Sequence, residues 1–467
     1  MTFVSFLLAM ASGVAVLFLR WNFPVMERLA LSSMAVLDGL LSNVSDDAKL
    51  VSLEKATFRL IRHLVSFLGI LLFAGFVVAI PDLFLNSSGD DVWNTWPGMV
   101  AISAGGGLGF FLPEAWFGRI PSVNQASHPP LSRLLHRMIL NHPHVHLWLM
   151  NREIRQWRRR GREPEAKFVW ITGLARAGTT SMLQRLMHTG AFHSLHYGNM
   201  PLILAPGLWG RFHKPKATPT QERSHGDGIM MDSRSPEALE EIYFQAALSG
   251  KYISDKALEG HELSKLQHQH YLDYQGIVLA SAGAGDHRIY LAKNNNALLR
   301  YPSIREHNRD FHVILMFREP MSHAASLLSM HKKYKRMQEE DGFVLEYMNW
   351  LVHREFGLGQ LPFRFSSSSA VPDGNPNELD YWLQTWIQHY EEALRLDPHH
   401  LHWVSYERYC QQPQQVIDRI LEIIEVQGVV PSAEPHAAVR EVDEKVDAVL
   451  RDRALQLHEQ LLSREPF

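Results

Sequence analysis

Residues 167–183, KFVWITGLARAGTTSML, decide the fold of this chain of 467 residues. They begin with an apolar run of strand length, continue through a glycine-containing turn and end in the start of a helix. Gly173 and Gly178 stand in a G-x-x-x-x-G frame that two threonines follow. In such a frame, backbone N–H groups and a helix N-terminus face an anion. The stretch therefore predicts a phosphate-binding turn between a buried strand and a helix.

The charge of this turn differs from that of a nucleotide triphosphatase. Thr179 stands where such an enzyme needs the lysine that reaches the β- and γ-phosphates, so hydrolysis of ATP or GTP is not expected. The positive charge lies at Arg176 instead, which suits a 5′-phosphosulfate. The residues GLARAGTTSML resemble the 5′-phosphosulfate loop of sulfotransferases, commonly G-L-P-R-S-G-T-T, with Ala175 and Ala177 in place of the usual Pro and Ser.

A second motif lies further along the chain, in residues 311–328, FHVILMFREPMSHAASLL. An apolar strand over 312–317 ends in Arg318, a helix start follows, and Ser326 stands eight residues after the arginine. This spacing resembles the 3′-phosphate site of sulfotransferases, in which an arginine and a serine hold the 3′-phosphate of 3′-phosphoadenosine 5′-phosphosulfate (PAPS). The alternative is a strand, a Glu-Pro helix start and a surface arginine. The order of the two motifs favours the phosphate site.

Two further segments occur where the sulfotransferase family places them. Residues 288–301, RIYLAKNNNALLRY, resemble the family's K-N-N-N strand end, which implies that Lys293 neutralises the bridging oxygen as the sulfuryl group leaves. Residues 402–410, HWVSYERYC, resemble the late S-Y-E-D strand that closes the core. The resemblance covers roughly residues 168–413 and is strongest to bacterial and membrane-associated sulfotransferases.

The donor site that the resemblance implies needs no metal cofactor. By analogy with phosphoryl transfer, catalysis should consist of positioning and charge stabilisation. The chain has 26 histidines but shows no His/Cys spacing typical of a metal site. The implied donor-binding residues are Arg176, Ala177, Gly178, Thr179, Thr180, Ser181, Arg318 and Ser326.

The general base does not carry over from the family. Cytosolic sulfotransferases have a histidine two residues after the lysine equivalent to Lys293, where this chain has Asn295. Golgi-type enzymes use a glutamate about twenty residues past the phosphosulfate loop, a region that here reads His196-Tyr197-Gly198. Neither assignment transfers.

A different segment supplies the candidate base. Residues 222–229, ERSHGDGI, followed by SPEALEE, look like the H-G-D-G-I element of bacterial family members. His225 has a side chain suited to accepting a proton near neutrality, and Asp227 could orient it. The alternative is a loop histidine that caps a turn. His196 is the second candidate base.

The alternation of strands and helices from Phe168 onward predicts an α/β fold, a mostly parallel sheet flanked by helices. The polar segment 357–378 is either a lid over the acceptor or a tolerated insertion. The predicted organisation is a membrane region over 1–120, a basic helical juxtamembrane linker over 121–166, a catalytic domain over 167–430 and a helical tail over 431–467.

The first 120 residues predict membrane attachment. The apolar segments are 3–19, 64–85 and a weaker one at 96–112, which is a third crossing, a re-entrant segment or a tightly packed segment. A signal peptide is the alternative for the first, although it lacks a basic start. Lysines and arginines between the first two segments place that loop in the cytoplasm, and a third crossing returns the chain there. Arginines over 152–162 suit anionic headgroups better than nucleic acid.

The whole-chain composition agrees with a folded enzyme. The net charge of −3 gives no field that attracts nucleic acid, and a single cysteine, Cys410, excludes an intrachain disulfide framework. We therefore predict a membrane-anchored, PAPS-dependent sulfotransferase in the inner membrane if bacterial, with its catalytic domain in the cytoplasm. The acceptor would be a hydroxyl-bearing small molecule, lipid or glycan. The alternatives are a P-loop kinase and a non-catalytic membrane scaffold with a vestigial nucleotide fold.

Overall fold

The computed structural model describes residues 2–41, 46–85, 96–111, 130–213, 221–222, 230–231, 235–283, 288–428 and 446–466. They form two compact units, Met1–Met138 and Ile139–Phe467. The helices of the first unit are α1 (Thr2–Trp21), α2 (Phe23–Leu40), α3 (Asp46–Leu85), α4 (Trp96–Phe111) and α5 (Pro130–Leu140). The last two residues of α5 belong to the second unit.

One helical stretch of the described residues, Leu53–Pro81 within α3, is long and apolar enough to cross a membrane. The segments Ser5–Trp21 and Phe23–Leu40 meet that criterion only as a pair, with a bend of 49° between them. The third predicted segment lies in α4, of which the structure describes 16 residues. Core helices and signal sequences can share these properties, so membrane crossing remains a prediction.

Small residues let α1 and α4 pack closely. A Cβ atom at Gly105 would lie only 1.8 Å from the carbonyl oxygen of Ala9, so only glycine fits there. Ser12 Oγ donates a hydrogen bond to the carbonyl of Ile102 at 3.1 Å. The glycine cluster of the sequence thus begins at a tight helix contact.

The second unit contains the remaining helices and all the strands of the described chain. Its helices are α6 (Pro143–Arg158), α7 (Thr179–His188), α8 (Pro206–Phe212), α9 (Glu241–Ala247), α10 (Lys265–Ser281), α11 (Tyr301–His307), α12 (Pro320–Glu340), α13 (Gly342–Trp350), α14 (Leu379–Leu394), α15 (Tyr406–Gln411), α16 (Pro413–Ile423) and α17 (Ala448–Leu462). Its strands are β1 (Phe168–Thr172), β2 (Phe192–His193), β3 (Gln221–Glu222), β4 (Met230–Met231), β5 (Leu258–Glu259), β6 (Ile289–Lys293), β7 (His312–Phe317), β8 (Phe363–Arg364) and β9 (Leu401–Ser405).

A five-stranded sheet with the order β2-β6-β1-β7-β9 forms the centre of this unit. All four strand pairs are parallel. Every residue of β1 and β7 is buried, as expected when helices cover both faces of a sheet. The predicted α/β fold with a mostly parallel sheet is confirmed. The carboxyl ends of β6, β1 and β7 lie side by side at one edge, which is where such folds bind ligands.

Each face of the sheet has its own core. On one face, the ring of Phe168 stacks on Phe311 with centroids 4.8 Å apart, and Trp170 donates a hydrogen bond to the hydroxyl of Tyr271 in α10. On the other face, Val169 and Ile171 join the buried side chains of α7 and α16. Because successive side chains of β1 point to opposite faces, both cores hold the strand that leads into the phosphate-binding turn.

The late strand is shorter than the sequence indicates. β9 ends at Ser405, and the residues after it form α15. Ser405 Oγ accepts a hydrogen bond from the backbone N–H of Arg408 at 3.2 Å, so this serine caps the helix. Likewise, the polar segment 357–378 contains β8, whose Phe363 pairs with Leu258 of β5.

Candidate active site

Two glycines press the turn after β1 against neighbouring elements. Gly173 has φ +140°, and a Cβ atom there would lie 2.3 Å from the carbonyl oxygen of Met316 in β7. Gly178 has φ +91°, and its Cβ would lie 2.5 Å from the ring of Tyr406 in α15. A side chain at either position would force the neighbouring residue to shift, and both φ values favour glycine. Both glycines of the G-x-x-x-x-G frame are therefore needed for their positive φ values and for the close packing of the turn.

Helix α7 begins directly at this turn. Gly178 occupies its N-cap and has no side chain that could bind the first N–H groups of the helix. Thr179 and Thr180 are buried in the first turn, while Ala177 is fully buried and fixes the turn to the core. Backbone N–H groups at a helix N-terminus bind anions, so this geometry agrees with the predicted 5′-phosphosulfate loop.

Arg176 joins the turn to the second motif. Its φ of +73° is unusual for a residue with a side chain. Arg176 Nε donates a hydrogen bond to Ser326 Oγ of α12 at 3.3 Å. The structure therefore brings together the two motifs that the sequence treats separately.

Arg318 stands at the end of β7, beside this contact. Its guanidinium carbon lies 4.7 Å from the ring centre of Tyr406, and its carbonyl accepts a hydrogen bond from Trp386 at 3.2 Å. Burial raises the pKa of Tyr406 to about 12, so the ring is a neutral phenol at neutral pH. The next residue, Glu319, caps α12 by accepting hydrogen bonds from the N–H groups of Met321 and Ser322. Arg318 is thereby held half-buried between two helix starts.

A histidine that the sequence analysis missed, His323, forms a hydrogen bond to the backbone of the turn. His323 Nε2 donates a hydrogen bond to the carbonyl of Ala175 at 2.8 Å. Because a carbonyl can only accept, this nitrogen carries the proton. Burial lowers the pKa of His323 to about 3, so the ring stays neutral. The residue lies between Arg318 and Ser326 in the sequence, within the variable part of that motif.

Lys293 ends β6 and lies at the same sheet edge. Its side chain is buried, and Nζ lies 3.5 Å from Oε1 of Glu237, which is also buried. Oε2 of Glu237 accepts a hydrogen bond from the hydroxyl of Tyr197 at 3.0 Å. A buried ammonium is costly without such a partner, so the carboxylate explains how a lysine is tolerated here.

A buried network fixes the strand end behind Lys293. Asn294 Nδ2 and the hydroxyl of Tyr290 each donate to Glu240 at 3.0 Å, and Tyr271 donates to the same carboxyl. Burial raises the pKa of Glu240, and these hydrogen bonds only partly offset the effect. The polar partners therefore fix the orientation of the residue after the lysine.

The neighbouring carboxylate forms an ion pair instead. Arg300 donates two parallel hydrogen bonds to Glu241, at 2.7 and 2.5 Å. Burial alone would raise the pKa of Glu241, but Arg300 lowers it below its ordinary value. Three acids of the segment SPEALEE, at 237, 240 and 241, thus have three different partners.

The remaining predicted residues are Ser181, His196, His225 and Asp227. Ser181 lies on α7, where its hydroxyl is 2.9 Å from the hydroxyl of Tyr409. His225 and Asp227 lie outside the described residues. His196 is among the described residues. Its backbone N–H donates a hydrogen bond to Asn199 at 2.9 Å, and its backbone forms a β-bridge with Pro236, next to Glu237.

Among the described residues, no group of three or more His, Cys, Asp or Glu side chains could hold a metal ion.

Glu237, the ion-pair partner of Lys293, is a residue that the sequence analysis did not single out. It lies in the segment SPEALEE, ten residues before which stands His225, the candidate base. Its signal in the sequence is a group of three acids within seven residues, and a buried charge requires a partner. The sequence does not say which of the three acids meets the lysine.

Comparisons with known proteins give matches in structure alone. No protein-family model and no curated protein sequence matches the chain. Sulfotransferase STF1 from Mycobacterium tuberculosis H37Rv is 14% identical, with 73% of this chain and 88% of that protein covered and a TM-score of 0.38. Sulfotransferase STF9 from Mycobacterium avium is 13% identical, with 74% and 80% covered and a TM-score of 0.38. The sulfotransferase domain from the curacin biosynthetic pathway is 18% identical, with 64% and 99% covered and a TM-score of 0.29.

The solved structures that this chain resembles are sulfotransferases. At identities between 12% and 18% the likeness is one of fold. The activity is therefore inferred below from the chain's own residues.

Proposed function

We propose that this chain is a membrane-anchored sulfotransferase that moves a sulfuryl group from PAPS to a hydroxyl acceptor. The contact between Arg176 and Ser326 supports this most, because it brings two anion-binding motifs to one edge of the sheet. PAPS carries a phosphosulfate at one end of its ribose and a phosphate on the 3′ oxygen. Such a donor needs two anion sites within reach of one ligand.

Each part of the site has a proposed role. The N–H groups at the start of α7 and Arg176 bind the phosphosulfate, with Ala177 and Ser181 completing the predicted loop contacts. Arg318 and Ser326 bind the 3′-phosphate, as a guanidinium fork and a hydroxyl can do. These residues act by binding and orientation, and none of the proposed steps requires a metal.

Charge stabilisation of the leaving group falls to Lys293. Negative charge develops on the bridging oxygen as the sulfuryl group departs, and a fixed ammonium stabilises it more strongly in a buried site than in water. His225, oriented by Asp227, remains a proposed base for the acceptor's proton.

We propose a lipid or glycolipid as acceptor, because an anchored enzyme meets its acceptor in the bilayer. The candidate span within α3 supports the anchor. The chain would lie in the inner membrane if bacterial, with this unit in the cytoplasm.

The basic run at the end of α6 supports contact with a membrane surface. Arg152 and Arg155 are exposed, and Arg152 lies 5.9 Å above the ring of Trp148, whose side chain is also exposed. Arginine and tryptophan together suit the headgroup region of an anionic bilayer.

Incubation of the detergent-purified protein with ³⁵S-labelled PAPS and total membrane lipids tests the proposal. Labelled lipid on thin-layer chromatography is the expected result. Label in water-soluble products alone would contradict the lipid acceptor but retain the sulfotransferase. No release of label from PAPS under any condition would contradict the activity itself.

A further inference from the structure

We propose that Glu465 is a positioning residue that fixes the shape of the donor site from the helical tail. The inference rests on the proposed sulfotransferase activity and adds a residue to its donor site. Glu465 lies three residues beyond the end of α17, in a part of the chain that the proposed function does not use. Its carboxylate acts through α15, the short helix that follows β9.

The carboxylate of Glu465 binds residues on both sides of Tyr406. Its Oε1 accepts the backbone N–H of Ser405 at 2.6 Å, and its Oε2 accepts a hydrogen bond from Arg408 Nε at 2.9 Å. The side chain of Glu465 is only 2% exposed, so solvent does not compete for these bonds as it does for a surface ion pair. The first turn of α15 is therefore held by the tail.

Tyr406, between these two contacts, borders both anion-binding motifs. The centre of its ring lies 4.7 Å from the guanidinium carbon of Arg318, which ends β7. The same ring lies so close to Gly178 that a Cβ atom there would be 2.5 Å from it. A shift of the start of α15 would therefore disturb the phosphosulfate turn and the 3′-phosphate arginine together.

A second contact joins α15 to the 3′-phosphate motif. Glu407 Oε1 accepts the backbone N–H of Glu319 at 3.1 Å. Glu319 follows Arg318 and caps α12, the helix that carries Ser326. The start of α15 thus contacts the backbone of this motif as well as its guanidinium, and Glu465 fixes that start. Affinity at such a site depends on the residues that hold the ligand-binding groups in place.

Helix α17 itself packs beside the same strand end. The ring centre of His458 lies 5.8 Å from that of Phe317 and 6.3 Å from that of Trp386. Trp386 in turn donates its hydrogen bond to the carbonyl of Arg318. The tail therefore supports the end of β7 by ring packing and the start of α15 by the carboxylate of Glu465, and mutation can separate the two.

The test distinguishes donor affinity from folding. The detergent-purified full-length wild type, Glu465→Ala and Glu465→Gln are titrated by calorimetry with 3′-phosphoadenosine 5′-phosphate (PAP). We expect Glu465→Ala to raise the Kd for PAP about three- to thirtyfold at unchanged stoichiometry. Glu465→Gln should lie between, because its carbonyl can still accept the N–H of Ser405. A purely structural role would instead lower the stoichiometry and leave the Kd of the folded fraction unchanged.

Glu391→Ala is the matched control. Glu391 of α14 accepts two hydrogen bonds from Arg453 of α17, at 2.9 and 2.7 Å, so this variant also removes a carboxylate that holds the tail. Its Kd for PAP should stay within about twofold of wild type, since an exposed pair contributes little. An equal rise in Kd for both variants would assign the effect to a loosened tail and contradict the role of Glu465.

A double variant tests the route through α15. In a Tyr406→Leu background, Glu465→Ala should have little further effect on the Kd for PAP, and full additivity would contradict this route.

An unchanged or lower Kd for Glu465→Ala overturns the inference, whatever its stability. If Glu465→Ala does not fold, Arg408→Ala must raise the Kd for PAP at unchanged stoichiometry, and an unchanged Kd counts against Glu465. Failure of the wild type to bind PAP instead removes the proposed donor site.

Discussion

Arg176 Nε lies 3.3 Å from Ser326 Oγ, although the two residues are 150 positions apart in the sequence. The contact exists because β1 and β7 are parallel neighbours, so that the turn after one strand meets the helix after the other. Two motifs with separate sequence signatures thus become one surface for anions.

The first prediction concerns this pair. Ser326→Ala removes a hydroxyl that would bind the 3′-phosphate, and hydrogen bonds to charged groups contribute about 1.5 to 3 kcal/mol. PAP affinity, measured by calorimetric titration, should fall about tenfold or more. Because Ser326 also contacts Arg176, the double variant with Arg176→Ala should differ from the sum of the single changes by at least about 0.5 kcal/mol. Strict additivity would mean that the pair does not share a ligand.

The second prediction concerns the charge at the end of β7. Arg318→Ala removes a charge-assisted contact, so PAP affinity should fall about tenfold to over a hundredfold. Arg309→Ala is the matched control, since that arginine is exposed and pairs with Asp397 at 2.8 Å. Titration of both variants should separate them clearly. Equal affinities would remove Arg318 from the site.

The third prediction concerns the shape of the turn. Gly178→Ala would place a Cβ atom 2.5 Å from the ring of Tyr406 in a backbone with φ +91°, so both stability and PAP affinity should fall. Gly190→Ala is the control, because its φ is +75° with nothing within 4 Å. The control should lose about 1 kcal/mol of stability from the backbone alone and keep PAP affinity. Thermal unfolding and titration measure the two effects, and a Gly178→Ala variant like the control would refute the packing argument.

The fourth prediction contrasts two buried histidines. Neither ring nitrogen of His389 has a hydrogen-bond partner among the described residues, whereas His323 supports the carbonyl of Ala175. His389→Phe should therefore stabilise the protein, since its neighbours Phe363 and Tyr390 are aromatic. His323→Phe should destabilise it and weaken PAP binding. Denaturant unfolding near neutral pH tests the signs, and the same sign for both would contradict the assignment.

Acidification extends this comparison. Burial lowers the pKa of His389 from its ordinary 6.5 to about 3. Between these values the unfolded chain binds the proton and the folded chain does not, so stability is intact above pH 6.5 and falls as the pH drops toward 3. One such group contributes about 1.4 kcal/mol per pH unit in that window. His389→Phe should reduce the slope of stability against pH, and an unchanged slope would count against a buried neutral ring.

Local patterns made the anion-binding parts of the site predictable. The turn from Gly173 to Gly178 and the motif from Arg318 to Ser326 each depend on residues close in sequence, whose strand, glycine and helix signals agree. The contact between them follows once both strands are assigned to one parallel sheet.

The rest of the site depends on tertiary contacts that no local pattern contains. Glu237, Glu240 and Glu241 are close in sequence, yet they contact three different residues, Lys293, Asn294 and Arg300, that are more than 50 positions away. The end of β9 was missed for another reason. Ser405 both completes a strand and caps a helix, so the apolar and aromatic run continues through the boundary.

Calorimetric titration of the detergent-purified protein with PAP, alongside ATP with Mg²⁺, tests the central claim most directly. The proposed donor site predicts tight binding of PAP and no comparable binding of ATP, because the turn has Arg176 and lacks the lysine of nucleotide triphosphatases. Preference for ATP with Mg²⁺, or no binding of PAP, would contradict the account.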